Sequence, residues 1–157
     1  MEDMTKRIAL GQRVPEIYQA MANLAAEVEK AAANAGLDQK LLELVKTRAS
    51  QINGCAFCLD MHTHDALGLG ESARRLFVLD AWRETDFFTE QERAALALTE
   101  ALTRMSEHGD VPDNVYAEAI RVFSEEQYRV VAWAVIVINS WNRMAITSHS
   151  PLPKRDV

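Results

Sequence analysis

A chain of 157 residues with 48% apolar and 25% charged side chains has the composition of one folded globular domain. Its 17 basic and 23 acidic residues leave a net charge of −6, which argues against a nucleic-acid partner and against docking on an anionic membrane surface. Glycine and proline, with 6 and 4 residues, are scarce, and so few chain breakers favour long helices over short strands.

The apolar runs and the N-terminal residues indicate the cellular compartment in which we expect the protein. The longest apolar run, residues 130–138, is far shorter than the roughly 20 residues that a membrane-spanning helix needs. Residues 1–7 carry charged side chains and no apolar stretch follows them, so we expect no signal peptide. These features predict a cytoplasmic protein with no membrane partner. In that reducing compartment, two cysteines favour a reactive pair or a metal site over a structural disulfide.

The apolar residues recur at helical spacing, and no stretch of useful length alternates as a strand does. We therefore predict an all-α fold of six or seven helices. A single domain, residues 13–147, lies between an N-terminal arm, residues 1–12, and a C-terminal tail, residues 148–157. In chain order the helices are predicted at about 14–35, 39–53, 54–67, 72–82, 90–107, 113–123 and 125–147.

Capping residues mark several of these boundaries, because a side chain or a glycine there satisfies backbone groups that a helix end leaves unpaired. These signals are Asp38, Gly54 and the two capping boxes that begin at Thr89 and Ser124. The last helix differs from the others, since residues 130–138 are apolar on every side. That pattern predicts a position in the core or in an oligomer interface.

The chemistry of the chain is concentrated in the third helix. Cys55, Cys58 and His62 stand at positions i, i+3 and i+7, which share one face of a helix. A helix N-terminus stabilises a thiolate by only about 0.3–1 kcal/mol, which is less than one pKa unit, so a base must assist. His62 is the nearest candidate. Glu43 on the preceding helix could orient it, if the two helices pack as a hairpin across Asn53-Gly54.

Other interpretations of these residues are open. Zinc could bind Cys55, Cys58, His62 and His64, although the two histidines point to different sides of one helix. The cysteines could also be inert core residues. Glu43 could form a surface ion pair with Lys46, three residues on. His64 is more typical of a solvated helix residue, and Trp82, Trp133 and Trp141 are typical of core or interface aromatics.

The spacing E-x11-C-x2-C-x3-H, from Glu43 to His62, resembles the motif of the alkyl hydroperoxidase D-like proteins, which belong to the carboxymuconolactone decarboxylase superfamily. Residues 46–54, directly before Cys55, and residues 139–143 near the C-terminus resemble the same family. The likeness covers about 12–147. It implies an all-helical fold that assembles into trimers or hexamers, a small hydroperoxide as substrate, a dithiol or lipoyl-type protein as reductant, and no cofactor or metal.

The resemblance also implies roles for four residues. Cys58 would attack the peroxide, Cys55 would resolve the product as a disulfide, and Glu43 and His62 would form a proton relay. Proximity to the helix terminus alone favours Cys55 as the nucleophile, so the assignment stays open here. Phe57 departs from the family pattern, because well-studied members carry a second histidine at that position.

We therefore predict a thiol-dependent peroxidase that reduces small or organic hydroperoxides. One alternative is a redox-sensing or chaperone-like protein whose disulfide forms without appreciable turnover. A second is an acid–base enzyme, similar to the decarboxylases, that uses Glu43 and His62 while the cysteines are incidental.

Overall fold

Helices make up the fold that the computed structural model describes, which comprises residues 6–156. Within that range there are eight α-helices and one 3-10 helix, and no strand. The α-helices are α1 (Pro15–Asn34), α2 (Gln39–Asn53), α3 (Ala56–Gly68), α4 (Ala73–Phe77), α5 (Glu90–Thr103), α6 (Met105–His108), α7 (Asp113–Val122) and α8 (Glu125–Ser148). The 3-10 helix spans Leu79–Glu84.

The all-α prediction is confirmed, whereas the predicted count of six or seven helices is too low. The segment predicted as one helix at 72–82 is divided at Val78 into α4 and the 3-10 helix. Leu76 of α4 and Leu79 and Trp82 of the 3-10 helix are buried in one cluster, and the backbone kinks again at Ala81, with φ at −107° and ψ at 26°. A second break at Arg104 separates α5 from the one-turn helix α6.

The predicted caps are formed. The side chain of Asp38 accepts a hydrogen bond from the backbone N–H of Lys40, 2.9 Å away. Both capping boxes, at Thr89 and Ser124, have their two reciprocal bonds. Gly54 ends α2 with φ at +69°, a left-handed conformation that glycine adopts without a steric penalty. The chain therefore reverses between α2 and α3 as the sequence predicts.

Helix α2 is central, since it packs against α3, α5 and α8. The main core cluster takes buried side chains from α1, α2, α5, α7 and α8, among them Val45, Leu98 and Val131. In α8, most of residues 130–138 are buried, but Trp133 and Ile136 are nearly half exposed on its outer face. The helix thus combines a core face with an apolar outer strip.

By length and composition, α8 is the one helix within residues 6–156 that could cross a membrane. A buried core helix of a globular protein passes the same test. Of the most apolar window of α8, 44% is buried inside the fold. Its packing against α1, α2 and α5 accounts for its apolar character.

A buried carboxylate joins α2, the 3-10 helix and α5. Glu100 accepts hydrogen bonds from Arg48 Nε at 2.9 Å, from Trp82 Nε1 at 3.0 Å and from Arg83. Burial alone would raise the pKa of Glu100, but these donors outweigh it and hold the pKa below its ordinary value. The charged cluster secures the orientation of α2, the helix that carries Glu43.

The chain termini pack beside α3 and α8. The backbone N–H of Leu10 donates to the hydroxyl of Ser148, 3.0 Å away. In the tail, Arg155 forms an ion pair with Asp60 on α3 at 3.0 Å. Residues 1–5 of the predicted arm and residue 157 of the predicted tail lie outside the described residues. The division into arm, domain and tail stays a prediction.

Candidate active site

The cysteine pair stands where α3 begins. Cys55 is the N-cap residue of α3, and its sulfur accepts a hydrogen bond from the backbone N–H of Cys58 at 3.3 Å. Cys55 therefore lies one position before the first turn, not within it. Cys58 follows in that turn, so both cysteines lie at the helix start, where unpaired backbone N–H groups favour negative charge on sulfur.

The two cysteines are joined as a disulfide, with their Cα atoms 5.3 Å apart. Each residue is only 1% exposed. Together with Ala145 of α8 they form a small apolar cluster against which Phe57 packs. The structure thus shows the oxidised form of a CxxC pair, enclosed between α3 and α8, and this pairing fits a redox role.

Glu43 and His62 meet across the α2–α3 hairpin, as the sequence predicts. Nδ1 of His62 lies 2.9 Å from Oε2 of Glu43, and both residues are 8% exposed. His62 follows Cys58 by four residues and so shares its face of α3. The structure thus joins Glu43 to His62 and Cys55 to Cys58, with His62 on the helix face of Cys58, while the catalytic roles of the four residues stay predictions.

Lys46 is a fifth member of this site. Its Nζ donates to Oε1 of Glu43 at 2.9 Å and also to Glu29 of α1. Burial would raise the pKa of Glu43, but the bond from His62 and the charge of Lys46 outweigh it, and the pKa lies below its ordinary value. Burial would lower the pKa of Lys46, but Glu43 and Glu29 outweigh it, and the pKa is raised.

The ion pair between Glu43 and Lys46 that the sequence suggested is therefore present, but it does not lie on the surface. The Glu43–Lys46 contact exists, but it is buried and continues to His62. The sequence offered the i, i+3 spacing as a signal for Lys46. It gave no indication of Glu29, because α1 reaches the site only through tertiary packing.

The zinc set considered from the sequence is not assembled. The cysteines are disulfide-bonded, and His64 is exposed while His62 is buried. A different trio, Glu43, His62 and Asp65, offers ligand atoms within 4.8 Å of one another. In that trio both oxygens of Glu43 are already engaged, by His62 and by the ammonium of Lys46, which would compete with a metal ion.

A polar network ties α8 to the end of α2, immediately before Cys55. Asn142 is fully buried; it donates to Ser50 at 3.0 Å and accepts from Asn53 at 2.8 Å. Nδ2 of Asn53 also donates a hydrogen bond to Oδ1 of Asn139, 2.9 Å away. Because a buried amide left unpaired is costly, this network specifies the register of α8 against the cysteine helix.

A pocket of about 480 Å³ opens beside His62, between α1, α3 and α8. Phe57 and Met61 line it from α3, and Tyr18 of α1 and Trp141 of α8 line it with their rings edge to face, the ring centroids 5.4 Å apart. Trp141, expected as a core or interface aromatic, is therefore also a pocket residue. Trp82 is buried, and Trp133 is half exposed.

Fold and site together define a helical protein with a buried CxxC disulfide beside a glutamate–histidine pair. The model of the carboxymuconolactone decarboxylase family matches residues 15–101, over half of the chain. The chain belongs to that family and is an alkyl hydroperoxidase D-like member of its superfamily.

Known relatives share most of the chain. The uncharacterized protein YdfG of Bacillus subtilis is 39% identical over 143 residues, which cover 91% of this chain and 94% of YdfG. The solved structure of ATU0492 from Agrobacterium tumefaciens, a protein of unknown function proposed to be the antioxidant defence protein AhpD, superposes with a TM-score of 0.87 at 36% identity, covering 96% of this chain and 99% of that one.

A more distant structure shares the fold. A cysteine-to-alanine variant of the debrominase Bmp8, in complex with 2,3,4-tribromopyrrole, superposes with a TM-score of 0.76 at 20% identity, covering 92% of this chain and 74% of that one. At this level of identity the likeness concerns the helical architecture alone.

Proposed function

We propose that this protein is a thiol-dependent peroxidase that reduces small or organic hydroperoxides through Cys58 and Cys55. The observation that carries the proposal is the buried Cys55–Cys58 disulfide on the same helix face as His62, which Glu43 holds at 2.9 Å. A disulfide between residues three apart, enclosed beside an acid–base pair, is typical of a redox cycle rather than of a structural crosslink.

The reaction has two steps on the protein. The Cys58 thiolate attacks the terminal peroxide oxygen of ROOH, the O–O bond breaks, and the products are a Cys58 sulfenic acid and ROH, which gains one proton. The Cys55 thiol then attacks the sulfenic sulfur, and one water leaves as the disulfide forms. Overall, ROOH and two thiols give ROH, water and the disulfide seen in the structure.

Glu43 and His62 supply the proton path. The lowered pKa of Glu43 keeps its carboxylate ionised at neutral pH, so the carboxylate accepts a hydrogen bond from the protonated Nδ1 of His62. That tautomer leaves Nε2 to take the proton from a cysteine thiol and to return it to the departing alkoxide. Lys46 keeps Glu43 in place from the other side.

A dithiol or lipoyl-type protein would restore the reduced form by thiol–disulfide exchange. Both sulfurs are enclosed, so the reductant requires local opening of the α3–α8 contact around Phe57 and Ala145. The likeness to ATU0492, itself proposed to be AhpD, supports an antioxidant role. Action in the cytoplasm is part of the same proposal.

The proposal is tested by intact mass and thiol counting after reduced protein receives one equivalent of tert-butyl hydroperoxide. We expect a loss of about 2 Da and of both thiols within minutes. The Cys55→Ser variant should instead gain about 16 Da as a trapped sulfenic acid, and Cys58→Ser should not react. Two unreacted thiols in the wild-type protein would refute the proposal.

The acid–base alternative is favoured by one observation: the Glu43–His62 pair is complete without any contribution from the cysteines. In that case, activity on a substrate with an acidic C–H bond would survive alkylation of both thiols. A peroxidase loses all activity under the same treatment.

A further inference from the structure

The pocket beside His62 has an aromatic character that the composition does not lead one to expect. Aromatic residues make up 7% of the chain, yet three of them, Tyr18, Phe57 and Trp141, line this pocket. The sulfur-bearing side chains of Met61 and Met144 also line it. Aromatic side chains make favourable edge-to-face contacts with the ring of a ligand, and thioethers make favourable sulfur–aromatic contacts with it.

The volume of the pocket, about 480 Å³, lies within the range of small-molecule sites. Most of the rest of its wall is aliphatic, with Val28, Val137 and Ile138, and the small polar side chains of Ser148 and Ser150 also line it. The charged and imidazole groups of the lining, Glu29, Lys46 and His62, lie together, because hydrogen bonds through Glu43 connect them, and they form its polar end. A ligand that is apolar over most of its surface and polar at one end matches this distribution.

The charge at the polar end is net negative. Lys46 contributes one positive charge. Two negative charges contact it: that of Glu29, which lines the pocket with its side chain 43% exposed, and that of buried Glu43, which lies behind Lys46 outside the lining. The ammonium is therefore already neutralised, and one carboxylate charge remains in excess. An anionic ligand would meet repulsion there, whereas a neutral one would not.

The α3 wall relates this pocket to the cysteines. Phe57 lines the pocket and also packs on the cluster that contains Cys55 and Cys58. His62 lines the pocket four residues after Cys58. A ligand whose polar end lies at His62 thus has its reactive group next to the proton relay.

We propose that the pocket binds a neutral, ring-bearing molecule, with the ring between Tyr18, Phe57 and Trp141 and the polar group at His62. The proposal rests on the proposed function in one respect. If the protein is a peroxidase, the physiological ligand is an uncharged hydroperoxide that carries an aromatic ring. Binding itself does not depend on the thiols, so it is testable separately from catalysis.

The test uses 2-phenyl-2-propanol, the alcohol that corresponds to cumene hydroperoxide, and 2-methyl-2-phenylpropanoate, in which a carboxylate takes the place of the hydroxyl group. Both are inert toward the oxidised protein, and the methyl ester of the second compound controls for size. We expect saturable calorimetric binding of the alcohol and the ester, and roughly tenfold weaker binding of the carboxylate. Absence of saturable alcohol binding, or equal affinity for ester and carboxylate, would overturn the proposal.

The chain offers a matched pair of variants. Tyr18 and Tyr116 are 44% and 46% exposed, and each meets another aromatic ring edge to face at 5.4 Å. Tyr18 lines the pocket, whereas Tyr116 belongs to α7 and pairs with Tyr128. Tyr18→Leu should weaken binding of the alcohol roughly 2–10-fold, and Tyr116→Leu should leave it unchanged. Equal loss in both variants would contradict the assignment.

The two proposals fail in different ways. If tert-butyl hydroperoxide oxidises both thiols but the alcohol does not bind, the aromatic pocket is refuted and the peroxidase stands. If the alcohol binds as described but the thiols do not react with any hydroperoxide, the pocket stands as a binding site and the peroxidase falls.

Discussion

Oε2 of Glu43 lies 2.9 Å from Nδ1 of His62, across the turn that joins α2 to α3. This contact determines which imidazole nitrogen carries the proton. The pKa of Glu43 is lowered, so its carboxylate is ionised and accepts a hydrogen bond from Nδ1–H. Nε2 is thereby available for proton transfer. The geometry of one hairpin thus sets the protonation state of the proposed base.

Glu43→Gln tests this dependence. The amide keeps the size of the side chain but removes the charge that stabilises protonated His62. We expect the rate of thiol oxidation by tert-butyl hydroperoxide to fall by about 100-fold, near the lower end of what general acid–base catalysis contributes. Glu27→Gln, an exposed change on α1, is the control. A wild-type rate in Glu43→Gln would show that His62 needs no carboxylate.

Stability should depend on pH through the same ion pairs. Glu43 has a lowered pKa, so its stabilising contribution is present above the ordinary glutamate value and is lost as pH falls through the folded value. Lys46 has a raised pKa, so its contribution is present below the ordinary lysine value and is lost as pH rises through the folded value. Both contributions are therefore present at neutral pH.

The measurement is urea unfolding of the oxidised wild type and of Glu43→Gln at two pH values. At about pH 7 the variant should be less stable by about 1–3 kcal/mol, since a buried charged hydrogen bond is lost. At about pH 3, below the ordinary glutamate value, the gap should narrow, because the unfolded chain then binds a proton at Glu43 more readily than the folded chain, whose pKa is lowered. A gap that is the same at both pH values would contradict the assigned direction of the pKa.

Phe57 should limit access to the disulfide, because it packs on the cluster of Cys55, Cys58 and Ala145. Phe57→Ala removes that cover, and we expect dihydrolipoamide to reduce the disulfide several-fold faster. Phe77→Ala, at a site 81% exposed on α4, is the control for loss of a phenyl ring. The readout is the appearance of free thiols over time. Equal rates in the wild type and in Phe57→Ala would mean that opening occurs elsewhere.

The outer face of α8 supports a proposal of self-association. Trp133 and Ile136 are 49% and 45% exposed and lie three positions apart on one side of the helix. We expect light scattering to give a trimer or hexamer mass, a multiple of 17.6 kDa. Trp133→Glu should shift that mass downward without loss of helical content. A wild-type monomer at micromolar concentration would contradict the proposal.

Local signals predicted much of this structure and site. Caps at Asp38, Thr89 and Ser124 depend on neighbours within a few residues, and the CxxC-x3-H face follows from helix geometry alone. The aromatic pocket could not be predicted in this way. Tyr18 and Trp141 come from opposite ends of the chain, and only the packing of α1 on α8 brings their rings together.

The subdivision of residues 72–82 was missed for a related reason. Single-sequence periodicity distinguishes helix from strand, but it separates turns of three residues from turns of 3.6 only over longer segments. Glu29 was missed because its role depends on the approach of α1 to Lys46, which no local spacing encodes.

The decisive experiment on the thiol mechanism is steady-state turnover of tert-butyl hydroperoxide with excess dihydrolipoamide as the electron donor. We predict that each chain consumes many equivalents of peroxide and that both Cys58→Ser and Cys55→Ser abolish this consumption. Oxidation that stops after one equivalent per chain would contradict a peroxidase and indicate a redox sensor. Turnover that persists in Cys58→Ser would exclude the thiol mechanism altogether.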